Sequence, residues 1–476
     1  MRTVIDLQSP LGSVPIEQIA LDEKSRDDIP ALLKGLQLIY TDPDTRKELF
    51  ELLEAHIRPD TDRTVGRPGM EMWRILVLGI LKEGLNCDFD RLHDLANEHR
   101  TIRKMLGHGM DGIDNTYYVR ARIVDNVALL TPELLREVNR LVVSTGHTVA
   151  KKKPGEMLAG RCDSFVVETD VHYPTDFNLL LDSTRCLIRE TGKACELHDV
   201  KGWRQHRHLT KQVRKRFNRV ATARLWTKRP DQVSEYLKIC RKMAGKAEES
   251  LVALKEAGAS TAWMEKIRHY LKHIHLFTDQ IDRRVLQGEV IEHSEKIFSV
   301  FEEHTRWISK GKAGRPVELG VPLAIVEDQY QFVLGHQIMW QGGDVDVAVP
   351  LIESCQEMHP DLQECSFDRG FHSPENRRRL ENLLDMVALP KKGRLNAADQ
   401  ERESEENFSR ARKQHPAVES AINHLEHHGL DRVRAKGADG FKRTVGLAIV
   451  AANLHQLGRM LQKSEKTHRD RHRLAA

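Results

Sequence analysis

The sequence has no CxxC pair, no membrane-length apolar stretch and few aromatic residues. Its seven cysteines, at 87, 162, 186, 195, 240, 355 and 365, are an odd and scattered set. That distribution argues for reduced thiols in a cytosolic protein, not for a disulfide framework. The longest apolar run, "MWRILVLGILKEGL", is broken by Lys82 and Glu83, well short of the roughly 20 residues a membrane span requires. No membrane partner is expected. The opening "MRTVIDLQSPLGS" lacks the basic-then-apolar layout of a secretory signal, so the expected location is the cytoplasm. A strong excess of charge is missing too: 74 Lys and Arg stand against 70 Asp and Glu, a net +4. Whether the partner is a polyanion therefore depends on how charge is distributed locally.

At 476 residues the chain is too long for one average core. Residues 1–150 carry apolar side chains at three- and four-residue spacing, as in "DIPALLKGLQLIYTDPDTRKELFELLEAHI", and predict a helical N-terminal region; short helices joined by tight polar turns suit either a helix-turn-helix that binds DNA or any small bundle. "RPDTDRTVGRPGM" interrupts it as a linker. "RCDSFVVETDVHYP" alternates and is rich in β-branched residues, predicting a strand from about Arg161 to Val171. The pattern then returns to helix until about Gln287. A second β-rich block follows at Pro316 to Trp340, then a helix, a short strand into Asp368, a helix from Ser373, a strand at "MVALP" and helices to the end. The reading is an α/β domain in two parts, 151–190 and 301–462, split by a helical basic insertion at 191–300 and ending in a basic tail at 463–476.

Three acidic residues fall where such a domain can use them. Asp163 lies inside the first strand, where an uncompensated charge is costly. Asp368 ends a strand, with Arg369 and Gly370 directly behind it. Glu419 shares a helical face with Ile422, Asn423 and Glu426 after Pro416. Hard oxygen ligands drawn from separate elements suit Mg²⁺, with substrate phosphate completing the coordination. Spacing alone does not make them converge, and each acid taken singly also fits an ordinary turn, strand-edge or solvated-helix role. Asp170, seven residues after Asp163, is the alternative first acid; on a regular strand it points to the opposite face.

The insertion contains "KGWRQHRHLTKQVRKRFNRVATARLWTKR", which holds Lys201, Arg204, Arg207, Lys211, Arg214, Lys215, Arg216, Arg219, Arg224, Lys228 and Arg229 and no acid. Trp203, Phe217 and Trp226 interleave with them. Such a run suits phosphate contacts that release counterions; the ordinary reading is a solvated helix whose aromatics pack inward. The acidic "DQERESEENF" near residue 400 is a possible internal offset.

Taken together, "DSFVVETDVHYPTDFNLLLDSTR", "FDRGFHSPENRRRL" and "VESAINHLEHHGLDRVRAKG" resemble the three acidic blocks of the DDE transposases of bacterial insertion sequences, most closely the ISNCY family and its relatives. "WISKGKAGRPVELGVPLAIVED" and the helical leader "VGRPGMEMWRILVLGILKEGLNCDFDRLHDLANEHRTIRKMLG" are similar to that group as well. The resemblance implies an RNase H-like catalytic domain, a metal-binding triad of Asp163, Asp368 and Glu419, and Mg²⁺ or Mn²⁺ as cofactor. It implies a bacterial, nucleoid-associated enzyme that nicks double-stranded DNA at element ends and joins them to target DNA. A homodimer is expected, because two ends must be paired. Lys310 and Lys312 become candidate backbone clamps, and Arg369 or His372 a candidate phosphate contact. The alternatives are a DNA-binding protein on the same fold without catalysis, and an RNase H-like nuclease without strand transfer.

Overall fold

The computed structural model describes residues 2–5, 12–22, 24–57, 69–109, 114–221, 229–309 and 317–475. Most of the linker "RPDTDRTVGRPGM" lies outside the described residues. Among the described residues the fold is mixed α/β, mostly helical, around a mixed sheet of seven strands. Two compact units divide the chain, one formed by residues 1–168 with 321–476, the other by 169–320.

The first unit opens with helices α1 (Asp28–Thr41), α2 (Pro43–Ala55), α3 (Met72–Gly84), α4 (Phe89–Glu98), α5 (Arg100–Met105), α6 (Arg120–Val127) and α7 (Pro132–Val149). Local chemistry sets their starts. Asp27, Asp42, Asp88 and Thr131 each accept from a backbone N–H of the first turn, and Pro43 and Pro132 occupy first positions, where a missing N–H costs nothing. These helices do not form a separate bundle. They share one core with β1 (Leu158–Thr169), β5 (Leu362–Phe367) and the long final helix α17 (Gly437–Ala475).

Close helix approach makes that sharing possible. A Cβ on Gly35 of α1 would lie 2.4 Å from the Leu454 carbonyl oxygen, and one on Gly458 would lie 1.9 Å from the Ala31 carbonyl oxygen. Only hydrogen fits at either place. Farther along α17, the buried Asn453 accepts from the Val333 N–H (2.9 Å) and donates to Asn139 Oδ1 (2.8 Å) on α7. The boundary read at residue 150 thus falls within one packed unit.

The sheet order is β2 (Arg306–Ser309), β3 (Val317–Glu327), β1, β5, β6 (Met386–Ala388); β4 (Val333–Ile338) also pairs with β3, and β7 (Arg432–Val433) with β1. β4 runs antiparallel to β3, while β5 is parallel to β1 and β6 to β5. α12 (Asp344–Met358), α13 (Pro374–Leu383), α14 (Ala397–Ser404), α15 (Glu406–Gln414) and α16 (Val418–Leu425) connect and flank these strands.

The second unit is dominated by α8 (Asp176–Leu197), α9 (His206–Val220), α10 (Pro230–Glu256) and α11 (Thr261–Ile281), packed around their own apolar core. Among the described residues, helices make up most of the segment 191–300.

Candidate active site

β1 and β5 carry the first two acids to neighbouring positions. In their parallel pairing Cys162 lies opposite Phe367, so Asp163 and Asp368 follow on adjacent strands at the same level. Asp368 then leaves the strand into the short 3₁₀ turn Arg369–Phe371. Phe371 anchors that turn: it is fully buried, with its ring centroid 5.9 Å from that of Phe367. Asn376 of α13 fastens the turn further, its amide donating to the carbonyls of Phe371 (2.9 Å) and Val345 (2.7 Å).

Glu419 comes from α16. Val418, Ala421 and Leu425 bury one face of that helix against Phe165 and Val167 of β1. Glu419 is left exposed in the first turn, toward the acids. The electrostatics of Asp163 report the convergence. Burial first, then the charges of Asp368, Asp344 and Glu419, push its carboxyl up to about 6, against an opposing hydrogen bond from the Ser164 N–H. Asp170 lies one residue beyond β1 and is exposed.

Asp344, which spacing did not single out, is the fourth acid. It opens α12, and its Oδ1 accepts from Ser164 Oγ at 2.7 Å. Its Oδ2 explains the glycine behind Asp368, because a Cβ on Gly370 would lie 2.6 Å from it. The neighbouring Asp346 accepts from the Gly343 N–H at 2.8 Å and is an ordinary cap. His415 was also missed. It precedes α16, has Nδ1 3.0 Å from Ser366 Oγ on β5, and is held below the usual histidine range by burial despite the charges of Asp368 and Glu419. Arg161, two residues before Asp163 and so on the same strand face, is taken by Glu327 at 3.1 Å.

Among the described residues, none of Asp163, Asp344, Asp368 and Glu419 has an ion-pair partner. The donor set is all carboxylate oxygen, carries excess negative charge and stays open to solvent at Asp368 and Glu419. Those properties fit a hard divalent cation. The acids do not close into a tight three-ligand cluster; among the described residues, the groups whose ligand atoms come within 4.8 Å of one another are histidine-based and lie elsewhere. Arg369 beside Asp368 is exposed and has no acidic partner among the described residues, whereas His372 is half-buried.

Within the described residues, 201–220 of the basic stretch form α9 and the turn before it. Lys201, Arg204, Arg207, Lys211, Arg214, Lys215 and Arg219 are exposed, and Arg216 is half-buried. Arg219 pairs with Glu235 at 3.5 Å; Lys201, Arg204, Arg207, Lys211, Arg214 and Lys215 have no acidic partner among the described residues. The aromatics do pack inward. Trp203 is buried and donates to Ser250 Oγ at 2.8 Å, and Phe217 packs on Tyr236. Asp399 and Glu403 of the acidic stretch near residue 400 are taken locally by Lys391 and Arg377, and by Arg402 and Arg412. Lys310 and Lys312, with Arg224, Trp226 and Lys228, lie outside the described residues.

Among the described residues no helix is long and apolar enough to cross a membrane. No family model, no curated protein and no solved structure matches the chain.

Proposed function

We propose that the chain is a DNA transposase: a DDE-type enzyme that nicks insertion-sequence ends and joins them to target DNA by metal-assisted phosphoryl transfer. The observation that carries this reading is the meeting of Asp163, Asp368 and Glu419. Acids from two strands and a helix, 51 to 256 residues apart in sequence, gather closely enough that the charges of Asp368 and Glu419 add to burial in pushing the Asp163 carboxyl up to about 6. Two further features support it. The order β4-β3-β1-β5-β6, with β4 antiparallel to β3 and with β5 and β6 parallel to β1, is compatible with an RNase H-like sheet. The uncompensated cations of α9 suit a DNA backbone.

Asp163, Asp368 and Glu419 would hold Mg²⁺ or Mn²⁺, and Asp344 is near enough in charge to tune them. A bound divalent ion supplies Lewis acidity that activates a water or 3′-hydroxyl and stabilises the leaving oxygen. The chain's own groups prepare that chemistry. Ser164 fixes Asp344 by its hydroxyl and Asp163 by its N–H. Gly370 keeps the turn clear of Asp344. Arg369 is free to meet a phosphate, and α9 holds flanking DNA without reading its sequence. The homodimer and the bacterial nucleoid setting belong to the same proposal and rest on the sequence resemblance.

The test is incubation of the protein with labelled DNA carrying the candidate element ends, with Mg²⁺ or with EDTA. Mg²⁺-dependent nicking that exposes a 3′-hydroxyl, followed by joining to target DNA, is the expected result. Hydrolysis without joining would reduce the enzyme to a nuclease. Binding without cleavage would replace catalysis by a DNA-binding role.

A further inference from the structure

A second polar cluster lies at the other end of α16. His424 sits on that helix, His428 in the π-type turn Glu426–Leu430 that follows, and His455 on α17. His428 and His455 are 0% and 4% exposed, in a place where unsatisfied ring nitrogens are costly. Gly429, at φ 97°, gives the turn a backbone shape other residues rarely adopt and brings His428 back under the helix.

Proton positions follow from the outer partners. His428 Nδ1–H donates to the Gly84 carbonyl at 2.7 Å, which leaves Nε2 as a bare lone pair in the neutral ring. His455 Nε2–H donates to Asp28 Oδ1 at 3.2 Å, which leaves its Nδ1 bare. Both bare nitrogens face His424 Nε2, at 2.9 Å and 3.0 Å. Three ring nitrogens therefore converge with at most one proton among them.

We propose that His424, His428 and His455 bind one imidazole-preferring divalent ion of the zinc class, which clamps the end of α16 to α17. Zinc–imidazole bonds of about 2.0–2.1 Å in a tetrahedron place ligand nitrogens roughly 3.3 Å apart, so the 2.9 Å and 3.0 Å separations from His424 Nε2 need to open by only a few tenths of an ångström. The outer partners already match those that orient metal-binding histidines: a backbone carbonyl on one ring and a carboxylate on another. Asp28, which also accepts from His427 at 2.7 Å, offsets the positive charge that Arg459 adds near His424. By contrast His269, His273 and Glu303 meet at the surface: the exposed Glu303 carboxylate lies 3.3 Å from His269 Nδ1 and 3.1 Å from His273 Nε2, and the histidine triad is the more enclosed group. Imidazole nitrogens select against Mg²⁺, so this site and the carboxylate site are chemically separable.

The experiment is titration of the chelator-stripped full chain with Co²⁺, followed by visible absorption. One equivalent giving a tetrahedral-type spectrum, displaced by Zn²⁺ but not by excess Mg²⁺, is expected. His424→Gln, at a half-exposed position, should weaken binding by at least about 100-fold, whereas Asp368→Asn should leave it unchanged. A wild-type chain with no saturable signal, or His424→Gln with the wild-type signal, overturns the proposal. Should the variant misfold, X-ray absorption of the zinc-loaded wild type decides: a shell of three imidazoles supports the site, and an oxygen-only shell overturns it.

Discussion

The acids around Asp163 and the cations of α9 are opposite in sign and also in how the chain builds them. The cations arise within one short run of sequence, and a single helix with its aromatics turned inward is enough to present them. The acids arise from β1, the end of β5, the start of α12 and the start of α16, and only tertiary packing brings them together. A contiguous cationic surface can be diluted one charge at a time. A convergent acidic site fails when any one support moves.

That contrast sets the order of expected effects. Asp368→Asn should lower Mg²⁺-dependent nicking by more than about 100-fold, while DNA affinity, measured by filter binding, stays within about twofold. Parallel loss of both activities would mean that the two regions are not separate in function. Gly370→Ala should cost about 10-fold or more in nicking, since the new methyl must displace the Asp344 carboxylate. A wild-type rate would show that Asp344 does not matter.

The cations should respond gradually. Replacing Lys211, Arg214 and Lys215 with Gln should make the slope of log affinity against log salt shallower, by roughly 0.9 for each phosphate no longer neutralised. An unchanged slope would mean that α9 does not face DNA.

The smallest effect expected is on stability. Folded Asp163 keeps its proton to about pH 6, whereas an unfolded aspartate releases it near 4. The native state therefore binds more protons between these values, and stability should fall as pH rises from about 4 to 6 and stay lowered above. Asp163→Asn removes this penalty, so it should raise the melting temperature at pH 7 by an amount equivalent to at most about 3 kcal/mol. Its advantage should vanish near pH 4. A variant less stable than wild type at pH 7 would show that the site is not electrostatically strained.

Much of the local structure was legible. Alternation located β1, the apolar run ending at Asp368 located β5, and the 3.6-residue period located the insertion helices. The meeting of the acids was not legible from spacing, because it depends on strand order. Asp344 was hidden because "GGDVDVAVP" reads as a helix start, and nothing in it separates Asp344 from the capping Asp346. The His424 and His428 pair has visible i, i+4 spacing, but His455 joins it from another helix. The N-terminal helices looked separable at residue 150 because the close approach of α1 to α17 depends on Gly35 and Gly458, which carry no pattern in sequence.

The central claim is that Asp368 touches the ion that drives cleavage. The most direct measurement is nicking by Asp368→Cys in Mg²⁺ and in Mn²⁺, because a thiolate is a poor ligand for the harder ion and a better one for the softer. The account predicts loss of cleavage in Mg²⁺ and recovery of at least about 10-fold in Mn²⁺. Cleavage by the variant at the wild-type rate in Mg²⁺ would contradict it.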